Sequence, residues 1–182
     1  MADIAIVIGH HPDAPGAALT IGDGQVHEHP LWVPFAGELA ESLEPSLSAA
    51  VVERPNPEPD AALARRVNET GAACAIELHF NAAESTAAQG TEMLHYEGSR
   101  GGHQLAELLQ HHTLEALGTK HRGTKGRSQY PFLAQTEMSA VICEPAFGSN
   151  EGDAFRLLRG LPALMAAYRR AVTTFLQNRS GT

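Results

Sequence analysis

The sequence predicts an α/β domain: a twisted, mainly parallel but mixed sheet of five or six strands, flanked by helices on both faces. Three observations carry this expectation. Short β-branched and apolar runs recur along the chain, longer stretches between them place apolar residues at helical spacing, and Gly or Pro punctuates most of the changes. Strands that alternate with helices build parallel sheets, because each helical crossover returns the chain to the same strand direction while covering a face. With 182 residues there is room for one such core, so residues 1–182 are expected to form a single domain.

The elements follow in order. Ile4 to Ile8 is a buried strand that ends at Gly9, and His10 to Gly24, rich in Pro, Gly and Asp, reads as a loop. From Pro30, Leu31, Phe35, Leu39 and Leu43 define a helix that Pro45 closes. Ala50 to Glu53 is a second strand, followed by a proline-rich turn through Pro59. Asp60 caps a helix carrying Leu63 and Val67, which Gly71 stops.

Ala72 to Phe80 and Thr91 to Tyr96 are the next strands, and Gly101 to Leu117 is an amphipathic helix. Gly118 to Tyr130 is glycine-rich and basic and reads as a loop. Phe132 to Ala134 reads as a short strand and Ala140 to Glu144 as a longer one. A last helix is expected from Pro162 to Gln177, with a frayed tail from Asn178 to Thr182.

Composition narrows the function. Thirteen basic against twenty-one acidic residues give a net charge of −8, which argues against a nucleic-acid partner that needs a basic face. Cys74 and Cys143 each sit in an apolar run with no metal or redox spacing, so both are expected to be free and buried, the alternative being a disulfide should their strands be neighbours. The N-terminus shows neither a basic leader nor a long apolar segment. The expectation is therefore synthesis in the cytoplasm with no signal peptide and no membrane partner.

In parallel sheets chemistry gathers where strands end at their carboxyl side. Three polar residues stand there: His10 beyond the first strand, His79 near the end of the third, and Glu144 closing Val141-Ile142-Cys143-Glu144. Glu28, between His27 and His29 at the start of the first helix, is a fourth. Two imidazoles and a carboxylate suit zinc, and three protein ligands leave a coordination position for water. A second carboxylate then moves the proton, and Glu28 and Glu144 can divide those two roles. Spacing alone is a weak signal, because no HExxH helix joins the histidines.

A family resemblance sharpens it. Gly9-His10 followed by Pro15-Gly16-Ala17 resembles the opening "GH…PGA" signature of the zinc-dependent N-acetylmuramoyl-L-alanine amidases of the Amidase_3 type. Glu28 before a helix matches that family's second ligand, and Arg66-Val67-Asn68 with Gly71-Ala72 is similar to its "R…N" and "GAD" segments. Glu77-Leu78-His79-Phe80-Asn81-Ala82 resembles "S-x-H-x-N-A", Gly90-Thr91-Glu92 resembles "G-T-E", and Val141 to Phe147 with Asn150 resembles "V-L-V-E-x-G-F-x-(S)-N". These run in family order from about residue 4 to residue 155.

The resemblance implies that His10, Glu28 and His79 hold one Zn2+ per chain and that Glu144 is the catalytic base and acid. The implied substrate is peptidoglycan, cut between N-acetylmuramic acid and L-alanine. A cell-wall enzyme without a leader fits a phage or prophage endolysin released by a holin, an intracellular recycling enzyme, or a chain trimmed of its leader. The competing readings are another zinc amidohydrolase of related fold, such as an N-formylglutamate-type deformylase or a peptidase, and a metal-free wall-binding or phage structural module.

Several positions depart from the pattern. His11 replaces the glycine after the first ligand, which leaves two adjacent imidazoles, of which His10 follows Gly9 as in the motif. His27 and His29 are expected in a solvated loop. Glu77 stands where a serine is usual; two residues before His79 on a strand it faces the same side, so it either accepts a hydrogen bond from that ligand, competes for the proton-transfer role, or is a surface-paired strand carboxylate. Asn81 either holds the loop that positions His79 or caps a turn. Ser139 replaces a proline. The cluster Lys120 to Arg127 either faces solvent or borders the cleft and attracts stem-peptide carboxylates.

Overall fold

The computed structural model describes residues 1–54 and 60–180. Its strands are β1 (Ile4–Ile8), β2 (Ala18–Ile21), β3 (Gly24–His27), β4 (Ala49–Glu53), β5 (Cys74–Leu78), β6 (Thr91–Tyr96), β7 (His121–Arg127) and β8 (Ser139–Glu144). Its helices are α1 (Glu28–Leu43), α2 (Asp60–Glu69), α3 (Arg100–Leu117), α4 (Pro131–Gln135) and α5 (Glu151–Ser180). Six strands form one mixed sheet in the order β4-β1-β5-β8-β6-β7, and β2 and β3 form a separate hairpin.

Adjacent strands in this sheet are parallel except for β6 and β8, which run antiparallel. The carboxyl ends of β1, β5 and β8 therefore meet the beginning of β6 at one edge. Alternation along the strands sends Ile4, Ile6, Ile8, Ile76, Val141 and Cys143 into a core with α1, α3 and α5. Ala5, Val7, Ala75, Leu94 and Ile142 face the opposite way, into a smaller core with α2 and α4. Both faces are covered, as the alternation of elements predicts. Among the described residues no helix is long and apolar enough to cross a membrane.

Four expectations need correction. The loop His10 to Gly24 contains strand β2 and the first residue of β3, joined by a two-residue turn with Gly22 at φ +55°, the conformation a tight hairpin needs and glycine supplies. The basic stretch after Gly118 is edge strand β7, paired parallel with β6; its charges are tolerable because edge strands face water on one side. Phe132 to Ala134 belongs to the single turn of α4, which opens on Pro131, a residue whose missing N–H costs nothing at that position.

The fourth concerns α5, which begins at Glu151 and passes through Pro162. Asn150 caps it, its side-chain oxygen accepting from the Asp153 amide at 3.0 Å. Asn178 to Ser180 continue the helix, and the last two residues of the expected tail lie outside the described residues. The proline-rich turn expected through Pro59 lies outside the described residues. Cys74 and Cys143 are free and buried as expected; burial pushes the Cys74 thiol up to about 12 and raises that of Cys143 as well.

Candidate active site

Four side chains arrive at the shared strand edge from four parts of the chain. His10 lies two residues beyond β1, His79 one residue beyond β5, and Glu144 is the last residue of β8. Glu28 opens α1 directly after the hairpin. That hairpin sets its position, because the Glu28 amide donates to the Ala17 carbonyl at 3.1 Å and Ala18 pairs with His27.

Glu28 is the hub. Its Oε1 lies 3.1 Å from His10 Nε2, and its Oε2 lies 3.2 Å from His79 Nδ1. Backbone amides fix the carboxylate from behind: Ala17 donates to Oε1 and Phe80 to Oε2, each at 3.0 Å. The ring centroids of His10 and His79 are 4.8 Å apart, nearly perpendicular, and one donor atom from each of the three residues lies within 4.8 Å of the others.

Two glycines make room for this packing. A Cβ on Gly9 would sit 2.1 Å from His79 Nε2, and one on Gly16 would sit 2.6 Å from the His10 ring. Gly16 also has φ +82°, which disfavours any side chain. The glycines of the opening motif are thus the space that the imidazoles fill.

The carboxylates differ in charge environment. Burial raises the Glu28 pKa, but hydrogen bonds and charge from His10 and His79 outweigh it and hold the group at about 2. Glu144 is pushed up to about 8, chiefly by burial; His79 lowers it, while Glu28, Glu92 and Glu77 add to the rise. Its Oε2 is buried and has no hydrogen-bond partner. Burial lowers His79, but Glu77 and Glu28 overcome this and carry it to about 10.

The other sequence candidates fall around this core. Glu77 lies 3.5 Å from His79 Nε2 and accepts from Arg54 Nη2 at 2.8 Å; the same guanidinium donates through Nε to the Gly9 carbonyl at 2.6 Å. Asn81 donates to Glu92 at 2.9 Å and accepts from the Ala82 amide at 3.0 Å. His11 turns away from the donor cluster, its Nδ1 accepting from the Asp13 amide at 3.0 Å. His27 donates to the Gly16 carbonyl at 3.0 Å, so it braces the His10 loop and is not simply solvated.

A cleft of about 290 Å³ opens over the four residues, walled by Tyr130, Pro131 and Phe132 on one side and by Arg54 and Asn81 elsewhere. Arg54 and Glu92 are the participants that the sequence did not single out as site residues. Glu92 was visible as part of a motif, whereas Arg54 carries no local signal.

The donor set fits zinc. Two imidazole nitrogens and one carboxylate are its usual ligands, and a tetrahedral ion at about 2.0–2.2 Å from each would separate them by roughly 3.4 Å. His10 and His79 approach the two different oxygens of Glu28 at 3.1 and 3.2 Å, and one donor atom from each of the three residues lies within 4.8 Å of the others, close enough to share an ion. Glu144 lines the same cleft, and its Oε2 is buried without a hydrogen-bond partner.

The family model for N-acetylmuramoyl-L-alanine amidase (Amidase_3) matches residues 4–173. The chain belongs to this amidase family. Its activity is accordingly that of an N-acetylmuramoyl-L-alanine amidase acting on peptidoglycan in the cell wall, and the family is zinc-dependent.

Solved amidases share the fold. The chain is similar to an N-acetylmuramoyl-L-alanine amidase from Clostridium difficile 630, with 20% identity, TM-score 0.79 and 96% of each chain covered. It is similar to amidase AmiC2 of Nostoc punctiforme at 22% identity and TM-score 0.80, again over 96% of each chain. The catalytic domain of the CD27L endolysin targeting Clostridia Difficile gives 23% identity and TM-score 0.78, over 96% of this chain and 98% of that one. No curated protein matches the sequence.

Proposed function

We propose that His10, Glu28 and His79 hold one zinc ion per chain and that Glu144 carries the proton during cleavage of the N-acetylmuramoyl–L-alanine amide. The observation behind this reading is the meeting, in one cleft, of a two-imidazole, one-carboxylate triad with a second carboxylate that has an unpartnered oxygen. Zinc held by three protein groups supplies Lewis acidity toward a carbonyl and brings the pKa of water to about 7.

The chain's own residues do the rest. Glu28, clamped by the Ala17 and Phe80 amides, keeps both imidazoles turned toward one point. Glu77, held by Arg54, fixes the far side of the His79 ring, and Asn81 holds the loop beyond it. Glu144 takes a proton from the attacking water and returns it to the L-alanine nitrogen as the carbon–nitrogen bond breaks, leaving the lactyl group as a carboxylate. A group whose acidity lies near neutrality can act in both directions. His11 shapes the turn after His10 and takes no part in binding the ion.

Digestion of purified peptidoglycan tests this. Wild-type protein with zinc should release stem peptides bearing a new L-alanine amine; Glu144→Ala protein and a chelated sample should not. New reducing sugar ends in place of new amines would overturn the reading.

A further inference from the structure

Two motifs of the sequence remain outside this mechanism: Gly90-Thr91-Glu92 and the basic strand β7. The structure joins them. Glu92 is buried, 7% exposed, and its Oε2 accepts from Arg122 Nε at 2.7 Å and from Lys125 Nζ at 2.6 Å. Its other oxygen accepts from the Asn81 side chain at 2.9 Å. Neither Arg122 nor Lys125 lines the cleft.

The placement of Glu92 accounts for the two cations. It pairs directly with Glu144 across the antiparallel β6 and β8 strands, so the two carboxylates share one face. Residues so paired have Cβ atoms about 4.5–5.5 Å apart, where like charges repel. Arg122 and Lys125 offset that repulsion on the Glu92 side.

Asn81 then transmits the anchor. Its amide donates to the Ala146 carbonyl at 2.9 Å and its carbonyl accepts from the Gly148 amide at 2.7 Å. These bonds continue the β5–β8 pairing beyond the strands, joining the loop that carries His79 to the loop that follows Glu144. The same frame grips the second loop directly: the Thr91 hydroxyl donates to the Pro145 carbonyl at 2.6 Å, and the Arg122 guanidinium lies 4.8 Å from the centre of the Phe147 ring.

We infer that Arg122, Lys125 and Glu92 form a positioning relay that fixes Asn81, and through it the spacing between the His79 loop and the Glu144 loop. The two cations act on the reaction through Glu92 and do not meet the carboxylates of the stem peptide. This rests on the assignment of His79 and Glu144 under Proposed function. Glu92 is here a positioning residue. A loop displaced by about 1 Å in such a site can cost on the order of a hundredfold in rate.

The test combines Arg122→Gln/Lys125→Met, Asn81→Ala and the triple variant, with Lys125→Met alone as the milder change should the double variant fold poorly. Hydrogen exchange at the Asn81 and Gly148 amides is read in zinc-loaded protein, and kcat and KM are read on muropeptides with free or amidated stem carboxylates. The relay predicts exchange at those two amides faster by about tenfold, with Ile4–Ile8 unaffected. It predicts kcat lower by about tenfold, KM within about twofold on both substrates, and no further loss when Asn81→Ala is added, since groups acting in one chain are not additive.

Unchanged exchange at both amides would overturn the relay. So would a KM that rises only for the free-carboxylate substrate while kcat holds, which would make the cations substrate contacts. Wild-type protein that fails to cleave the amide would instead sink the proposed residue roles, while the exchange comparison would still decide whether the anchor exists.

Discussion

Glu28, buried, and Glu144, half-buried with its Oε2 out of reach of water, stand at the same edge of the sheet, yet they lie on opposite sides of the ordinary carboxylate range, at about 2 and about 8. The difference lies in their neighbours. Glu28 receives two backbone amides and faces two imidazoles, so burial is overcome by groups that favour its charge. Glu144 ends a strand with one oxygen unpartnered and three carboxylates acting on it from nearby. One sheet edge thus yields a permanently charged group suited to hold a cation and a second suited to exchange a proton.

The largest effect that would break this comparison is at Glu28. Replacement by Gln removes the charge but keeps the shape, and purified Glu28→Gln protein should carry almost no zinc and no detectable amidase activity; metal analysis beside a peptidoglycan assay checks both. Glu144→Gln should be next in size. Its activity falls by about 10²–10⁴-fold, the usual share of a general acid–base group, while zinc stays at one per chain.

Gly16→Ala sharpens the geometric side. Its Cβ would meet the His10 ring at a backbone φ of +82°, so zinc affinity by chelator competition should fall by about 10–100-fold, and His11→Ala should leave it within about twofold.

The smallest effect is on stability against pH in metal-free protein, and the two carboxylates should act with opposite sign. The Glu28 pKa is depressed on folding, so its contribution is present above about 4.5 and is lost as pH falls toward about 2. That of Glu144 is raised, so its contribution is present below about 4.5 and is lost as pH rises through about 8. Relative to wild type, Glu144→Gln should therefore gain melting temperature on going from pH 4.5 to 8, whereas Glu28→Gln should lose its disadvantage below pH 4.5. Parallel melting curves for all three proteins would remove the contrast.

Much of this was legible in the chain because buried elements write themselves in apolar residues. β1, β6, β8 and α3 sit within a residue or so of where their apolar runs place them. The parts that were not legible take their stability from long-range partners. β7, with the sequence His-Arg-Gly-Thr-Lys-Gly-Arg, has no apolar alternation; it is ordered by pairing with β6 and by two cations that meet Glu92, thirty residues and more away.

The first turns of α5 escaped for a different reason. Pro162 looked like a helix start, yet Asn150 with Asp153 three residues on was the truer capping signal. At the site, motif order singled out His10, Glu28, His79 and Glu144, and the structure brings all four to one cleft. The Arg54–Glu77 pair joins residues 23 apart and could be read only from coordinates.

The central claim is that two imidazoles and Glu28 share one zinc ion from which Glu144 stands apart. X-ray absorption at the zinc edge of the loaded protein, wild type beside Glu144→Gln, tests it most directly. The account predicts two imidazole nitrogens at about 2.0–2.1 Å and no sulfur, with the same protein-derived shell in both proteins. A third imidazole, or a shell that loses a carboxylate oxygen when Glu144 is changed, would contradict it.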